Sequence, residues 1–357
     1  MEIHQLVHAA APGDAVTNSA LEWRSLLRQV GPSEIFATHV DPRLAGDVRP
    51  LGAYYELESA RTGRNLLLYH LSIGASEVSA FLRGRPERLG IAYHNVTPAS
   101  YFEQTEPEFA VHLRRGRADL LELRDRTDFA FAVSPYNMRE LEEAGYSHVR
   151  HVPLVVDVHR LRGVVPDESA VAGLEIDGPM LLFVGQVLPH KRPDMLLSLY
   201  HVLSTYQIPE ASLVVAGAGR VPSYQLAITR YAKELNLYRS ALLGWVSDAQ
   251  LAALYRRASV FVTCSEHEGF CVPLLEAMAW DVPIVARDFA AIPETLGPAG
   301  LIVPQDSGPV LMAEAVGSVL GDERLRRSLV DAGRARLEAY DPDEARRTFL
   351  AALTEVA

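Results

Sequence analysis

Lysine is nearly missing from this chain. Of 34 basic residues among 357, only Lys191 and Lys233 are lysines; the other 32 are arginines. Cysteine is as scarce. Cys264 and Cys271 form neither a CxxC pair nor a framework, which excludes a disulfide scaffold and a zinc site of four cysteines. No stretch reaches the ~20 uninterrupted apolar residues that a spanning helix needs. The opening MEIHQLVHAAAPGDA carries a glutamate at position 2 and no basic cluster before its apolar run, so no secretory signal is read there. Short-period repeats and low-complexity tracts are also absent. These absences lead to the expectation of a reduced, cytoplasmic protein. The net charge of −11 makes the chain a poor default partner for nucleic acid.

What is present is ordinary for a globular protein: 48% hydrophobic and 22% charged residues. The length exceeds what one core usually holds, so two domains are expected. Short apolar runs alternate with amphipathic stretches, the pattern of parallel sheets covered by helices. In the first half strands are expected at 3–8, 35–40, 65–71, 89–94, 129–134 and 149–154, with helices at 19–30, 108–126 and 136–144. Residues 158–178 lack periodicity and are rich in Gly, Pro and Asp, as a linker is. A second series follows, with strands at 180–184, 212–216, 241–243, 260–263, 282–286 and 300–303. Its helices are expected at 192–205, 224–235, 248–258 and 273–280, and two more close the chain at 322–339 and 342–356. The expected architecture is therefore α/β: two doubly wound domains, 1–157 and 179–341, facing each other across a cleft. In such sheets ligands sit beyond the carboxyl ends of the strands.

Three motif matches fail. Gly217-Ala218-Gly219-Arg220-Val221-Pro222 begins like a dinucleotide fingerprint but ends in proline. Gly185-Gln186-Val187-Leu188-Pro189-His190-Lys191 lacks the Gly before Lys and the Ser or Thr after it that a phosphate loop needs. Asp341-Pro342-Asp343 has the spacing of a metal-binding acidic pair but stands where a helix starts, and helix capping explains it. No metal site is expected.

The informative segment is SEHEGFCVPLLEAMA, residues 265–279. A strand runs into a polar loop and a helix opens near Pro273, so free amides over 269–272 would face a ligand with the helix dipole behind them. That favours an anion such as a diphosphate. Glu268 and Glu276, with seven residues between them, would place a loop carboxylate and a first-turn carboxylate on either side of those amides. Carboxylates accept hydrogen bonds from paired hydroxyls, so sugar or ribose diols fit. Spacing alone leaves open a surface glutamate at 276 and a dipole-complementing one at 268.

The surrounding sequence resembles the family 4 (group 1) retaining glycosyltransferases of GT-B fold. Their signature EGFGxPxxEAMAxGxPVVA is matched by EGFCVPLLEAMAWDVPIVA, and their PE…GxAGxLV segment by IPETLGPAGLIV. Upstream, FVGQVLPHKRPD, LVVAGAG and LGWVSDAQLAALYRRASVFV are similar to the family's donor half. GDAVTN, YHNVTPASYF, VSPYNMRELEEAGY and VPLVVD are similar to its acceptor half. The resemblance implies a C-terminal helix, 342–357, crossing back to the N-terminal domain. It also implies transfer of a hexose, without metal or resident cofactor, from a UDP- or GDP-linked sugar to a sugar, glycan or lipid-linked hydroxyl. In the carried-over roles Glu276 holds the ribose. Glu268, Gly269, Phe270 and Cys271 hold the transferred sugar, and Lys191 neutralises the diphosphate. Trp245 and Val246 border the base, Gly13 approaches the diphosphate, and His94 lies near the reacting sugar, with His70 a second candidate.

Two positions depart from the pattern. Gln186 replaces the family's arginine, with Arg192 as the candidate to compensate, and Cys271 replaces a glycine. The mechanism stays open between a covalent Glu268 adduct and front-face attack. A disaccharide synthase or phosphorylase-type relative, or an inactive sugar-nucleotide-binding partner, are the alternatives. Arg83, Arg85, Arg88, Arg114, Arg115, Arg117, Arg124 and Arg126 gather in the first half. They read either as a solvated face balanced by Glu108, Asp119, Glu122 and Asp125 or as a peripheral surface for anionic lipid at the inner face of a membrane. The balanced face is the preferred reading.

Overall fold

The computed structural model describes residues 2–174, 176–219 and 221–356. Glu175 of the expected linker and Arg220 of the GAGRVP segment lie outside the described residues. Backbone contacts divide the chain into two compact units, Met1–Val155 with Pro342–Ala357, and Val156–Asp341.

In the first unit the chain runs β1 (Ile3–Ala10), α1 (Ala15–Leu27), β2 (Ile35–Val40), β3 (Val48–Pro50), β4 (Leu66–Leu71), α2 (Ser76–Arg83) and β5 (Arg88–Tyr93). It continues through α3 (Pro107–Leu123), β6 (Phe129–Ala132), α4 (Pro135–Glu143) and β7 (Val149–His151). The seven strands pair in parallel in the order β3-β2-β1-β4-β5-β6-β7. Strand β4 is buried along its whole length, as expected of a central strand covered on both faces. The strand β3 escapes sequence reading because it is a three-residue edge strand ending in proline, where no partner needs a further N–H. Helix α1 starts four residues before the expected position. The Asp14 carboxylate accepts from the Thr17 amide at 2.8 Å and so caps the helix early.

In the second unit α5 (Val158–Arg162) precedes β8 (Met180–Val184), α6 (Pro193–Tyr206), β9 (Ser212–Ala216), α7 (Pro222–Glu234), β10 (Ser240–Gly244) and α8 (Asp248–Arg257). Then come β11 (Val260–Thr263), α9 (Val272–Ala279), β12 (Ile284–Arg287), α10 (Ile292–Leu296), β13 (Gly300–Val303), α11 (Pro309–Gly321) and α12 (Glu323–Glu338). Six parallel strands lie in the order β10-β9-β8-β11-β12-β13. The order reverses beside β8, so the loops after β8 and β11 open at the switch point where such sheets bind ligands. Helix α11 is absent from the sequence reading. It carries apolar residues nearly all round, burying Met312, Ala313, Val316 and Val319 while exposing Val310 and Leu311, so no polar face marks its period.

The last helix, α13 (Pro342–Val356), belongs to the first unit. Phe349 is fully buried and stacks on Trp23 at 4.4 Å, while Arg346 pairs with Glu22 at 2.8 Å. Asp343 pairs with Arg346 at 2.8 Å inside this helix, a structural use of the DPD sequence.

At least five of the clustered arginines of the first unit are ion-paired. Arg83 meets Glu122 at 2.9 Å, Arg114 meets Glu103 at 2.9 Å, Arg115 meets Asp119 at 2.6 Å and Arg117 meets Glu140 at 3.0 Å. Arg85 pairs with the fully buried Glu87. Among the described residues no helix is long and apolar enough to cross a membrane.

Candidate active site

The loop leaving β8 contains Gly185 and Gln186, and its short 3-10 turn Pro189–Lys191 ends at Arg192 in a left-handed conformation, φ 52°. This turn aims Lys191 across to the loop after β11. Its ammonium donates to the Glu268 carboxylate at 2.6 Å, with both side chains largely shielded from solvent. The two loops are tied together again where the Glu266 amide donates to the His190 carbonyl at 2.8 Å. His190 and His267 are buried on either side of this junction, their rings edge-on at 6.4 Å.

Arg192 is committed elsewhere. Its guanidinium donates to Asp194 at 3.0 and 2.8 Å and also to Glu266, which Arg287 engages at 3.0 Å. Adjacent cations therefore do different work: Lys191 faces the Glu268 loop, and Arg192 locks that loop's base. Gln186 is exposed.

Past Glu268, the amides of Gly269, Phe270 and Cys271 donate no hydrogen bond within the described residues. They precede α9, so the positive end of its dipole adds to an anion-seeking row of N–H groups. The Phe270 side chain instead anchors the loop. It is buried edge-on against Tyr340 at 5.5 Å, and its carbonyl accepts from the Thr295 hydroxyl at 2.6 Å.

Cys271 sits at φ 73°, ψ 66°, which explains why a glycine suits this position: a Cβ is strained there. Its thiol is buried beside the Glu268 carboxylate, and burial pushes its pKa well above the ordinary thiol value, so it stays protonated. Cys271→Gly is expected to fold and act like the parent. Cys271→Val, β-branched at positive φ, is expected to lower stability by about 1–3 kcal/mol and weaken donor binding. Chemical denaturation and nucleotide titration of the two variants check this.

Glu276 lies in the second turn of α9, one turn later than the sequence spacing placed it, because the helix begins at Val272. The fully buried Tyr255 of α8 donates to its Oε2 at 2.8 Å, leaving Oε1 for a ligand. Sequence alone does not reveal Tyr255; a tyrosine inside an apolar helix face gives no signal until the fold sets it against α9. Burial raises the Glu276 pKa and Asp248 adds to this, while the Tyr255 hydrogen bond and Arg160 oppose it. The sign follows directly. If ribose hydroxyls bind the carboxylate, donor affinity falls as pH drops through this raised value. Tyr255→Phe removes a lowering contact, so the acid-side loss is expected at higher pH, with about a fivefold weaker donor Kd near neutrality. Donor titrations across pH in parent and variant read this out.

At the end of β10, Gly244 (φ 69°) turns the chain and Trp245 projects with 74% of its surface exposed, followed by the half-buried Val246. Lys191, Glu268, Gly269 and Cys271 thus lie on the loops after β8 and β11, Glu276 lies on α9, which follows the second of these loops, and Trp245 and Val246 follow another strand of the same sheet.

His94 and Gly13 belong to the first unit. Gly13 has φ 79° in the exposed loop between β1 and α1. His94 follows β5, and its Nε2 lies 2.8 Å from the Nδ1 of His70. Burial holds the His94 pKa down to about 4, so the ring is neutral over the working range.

Residues 165–336 match the family described as Glycosyl transferases group 1. The GDP-mannose-dependent monoacylated alpha-(1-6)-phosphatidylinositol monomannoside mannosyltransferase of Corynebacterium glutamicum is 26% identical over 62% of this chain and 61% of its own. The phosphatidyl-myo-inositol mannosyltransferase of Mycobacterium tuberculosis is 32% identical over 59% of this chain and 55% of its own. The chain thus spans between about half and three fifths of the length of these relatives. Among solved structures, sucrose-phosphate synthase from Thermosynechococcus elongatus superposes with a TM-score of 0.75 at 21% identity, over 99% of this chain and 98% of that one. Anabaena HepE in complex with UDP-glucose gives 0.75 at 15%, over 99% and 100%.

Proposed function

We propose that this chain, which has the GT-B fold and whose residues 165–336 match the group 1 glycosyl transferases, moves a hexose from a nucleoside diphosphate sugar to a hydroxyl acceptor, keeping the anomeric configuration. The observation that carries this reading is the Lys191–Glu268 contact beside the unbonded amides of Gly269, Phe270 and Cys271. A cation and a dipole-backed amide row suit a diphosphate, and the adjoining carboxylate suits a sugar diol.

In the reaction the bond from the anomeric carbon to the diphosphate oxygen breaks and a bond to the acceptor oxygen forms. The leaving phosphate takes the acceptor's proton. Lys191 and the amides stabilise the charge growing on that phosphate, which asks nothing of a metal ion. Glu268 and Gly269 orient the sugar, Glu276 holds the ribose, and Trp245 and Val246 border the base. GDP-mannose is the first donor to test, given the two mannosyltransferase relatives. Their phosphatidylinositol-linked acceptors make a lipid-linked sugar the first acceptor class. The paired arginines of the first unit favour the balanced solvated face over a lipid-binding one.

Thermal-shift titration with UDP, GDP, ADP and their sugars tests the donor. Stabilisation should grow with ligand concentration for one nucleotide class. NMR of the product's anomeric proton then tests retention. No shift with any nucleotide, or an inverted product, would overturn the reading. Gln186→Arg is expected to strengthen binding of the preferred donor by about 1 kcal/mol, roughly fivefold, because an exposed guanidinium regains a phosphate contact.

A further inference from the structure

A chain of hydrogen bonds behind His94 fixes which of its nitrogens can act. It starts at the amide of Gln5, fully buried in β1, whose Nε2 donates to the Ala20 carbonyl of α1 at 3.0 Å. The opposite amide orientation would set two oxygens against each other, so Gln5 Oε1 must face the next member. That member is His70 at the end of β4, 1% exposed, with Nε2 2.8 Å from Gln5 Oε1. An oxygen acceptor there requires a proton on His70 Nε2. Since burial keeps His70 neutral, its Nδ1 is then a bare acceptor. His70 Nδ1 lies 2.8 Å from His94 Nε2, which must carry a proton in turn, and the two rings stand 17° from parallel. Trp23 packs over His70 at 5.1 Å and holds its ring in place. The remaining nitrogen, His94 Nδ1, makes no hydrogen bond among the described residues.

We propose that Gln5 and His70 are positioning residues that hold His94 as its Nε2–H tautomer, so that His94 Nδ1 presents one fixed acceptor to a hydroxyl of the sugar substrates. The inference rests on the proposed transferase reading for its consequence, though not for the tautomer itself. A hydroxyl donating to Nδ1 has its hydrogen direction set, which orients its oxygen lone pairs and the ring that bears it. A His94 free to exchange tautomers would offer a donor part of the time and lose that selection.

The test begins with the parent chain. Long-range ¹H–¹⁵N correlation of the full, ¹⁵N-histidine-labelled protein should show His94 with Nε2 protonated and Nδ1 bare. A protonated Nδ1 at neutral pH would overturn the proposal with no variant needed. His70→Phe keeps the ring volume without an acceptor. It should release His94 into a tautomer mixture and lower kcat about 10- to 100-fold with donor KM little changed, the same size of loss as when the outer partner of a metal-bound histidine is removed. His70→Asn places a carbonyl near the lost Nδ1 and should restore the single tautomer and most of the rate. A His70→Phe protein that keeps both tautomer and kcat sinks the relay. Full activity in His94→Ala would overturn the contact of His94 with substrate, an outcome separate from the tautomer measurement.

Discussion

Replacing Lys191 with alanine is expected to lower kcat/KM about 10²- to 10³-fold, the usual cost of deleting one preorganised group from a developing oxyanion. On the proposed transfer the loss should fall mainly on kcat, since the charge on the leaving diphosphate is larger in the transition state than in the bound donor. Among the described residues the two arginines nearest in this network are committed elsewhere. Arg192 is held by Asp194 and Glu266, Arg287 by Glu266 and the Gln305 carbonyl, and Gln186 is neutral. Removing the ammonium also leaves the Glu268 carboxylate without the partner 2.6 Å away. Lys191→Arg should recover little, because a planar fork does not replace a compact point charge in a turn this tight. The double variant Lys191→Ala, Glu268→Ala should lose little more than the worse single one, since the two groups act as a unit. Steady-state kinetics on the four proteins check this; additive losses would mean that the pair works separately.

Phe349→Ala is expected to cost the first unit about 3–5 kcal/mol, the largest stability effect of any single substitution considered for this protein. Phe349 is fully buried between Trp23 and Phe131, stacked on the first at 4.4 Å and edge-on to the second at 6.1 Å. It is the largest apolar anchor of α13, which also buries Ala345, Ala352 and Leu353; the ion pairs of the helix, Arg346–Glu22 at 2.8 Å and Arg150–Glu355 at 3.2 Å, are partly exposed and worth little. Hydrogen exchange over 342–356 should quicken together with a fall in the first unit's unfolding midpoint. Phe349→Leu should recover most of the loss. Trp23 also covers His70, so the alanine variant should loosen the histidine pair and lower activity although α13 carries no site residue.

Much of the fold is legible because parallel strands buried on both faces read as apolar runs whatever surrounds them. The expected strands at 35–40, 180–184, 212–216, 260–263 and 300–303 coincide with β2, β8, β9, β11 and β13. The elements that escape are those whose existence depends on neighbours: β3 at a sheet edge, and α11, whose apolar surface carries no contrasting polar stripe.

The site divides the same way. Local order along the chain was enough to show the resemblance to the group 1 glycosyltransferases, the loop-to-helix turn at 269–272 and the two glutamates. Composition also marked Lys191, one of two lysines, as exceptional. Which charges meet is set by the folded chain. Lys191 and Glu268 are 77 residues apart, and Arg192, its neighbour, is drawn off to Glu266 by a left-handed turn. Tyr255 behind Glu276, and Gln5 and His70 behind His94, likewise come from other strands and helices. Local sequence can place a functional group at the end of a strand. Its protonation, tautomer and partner are set by atoms that only packing brings within hydrogen-bond distance.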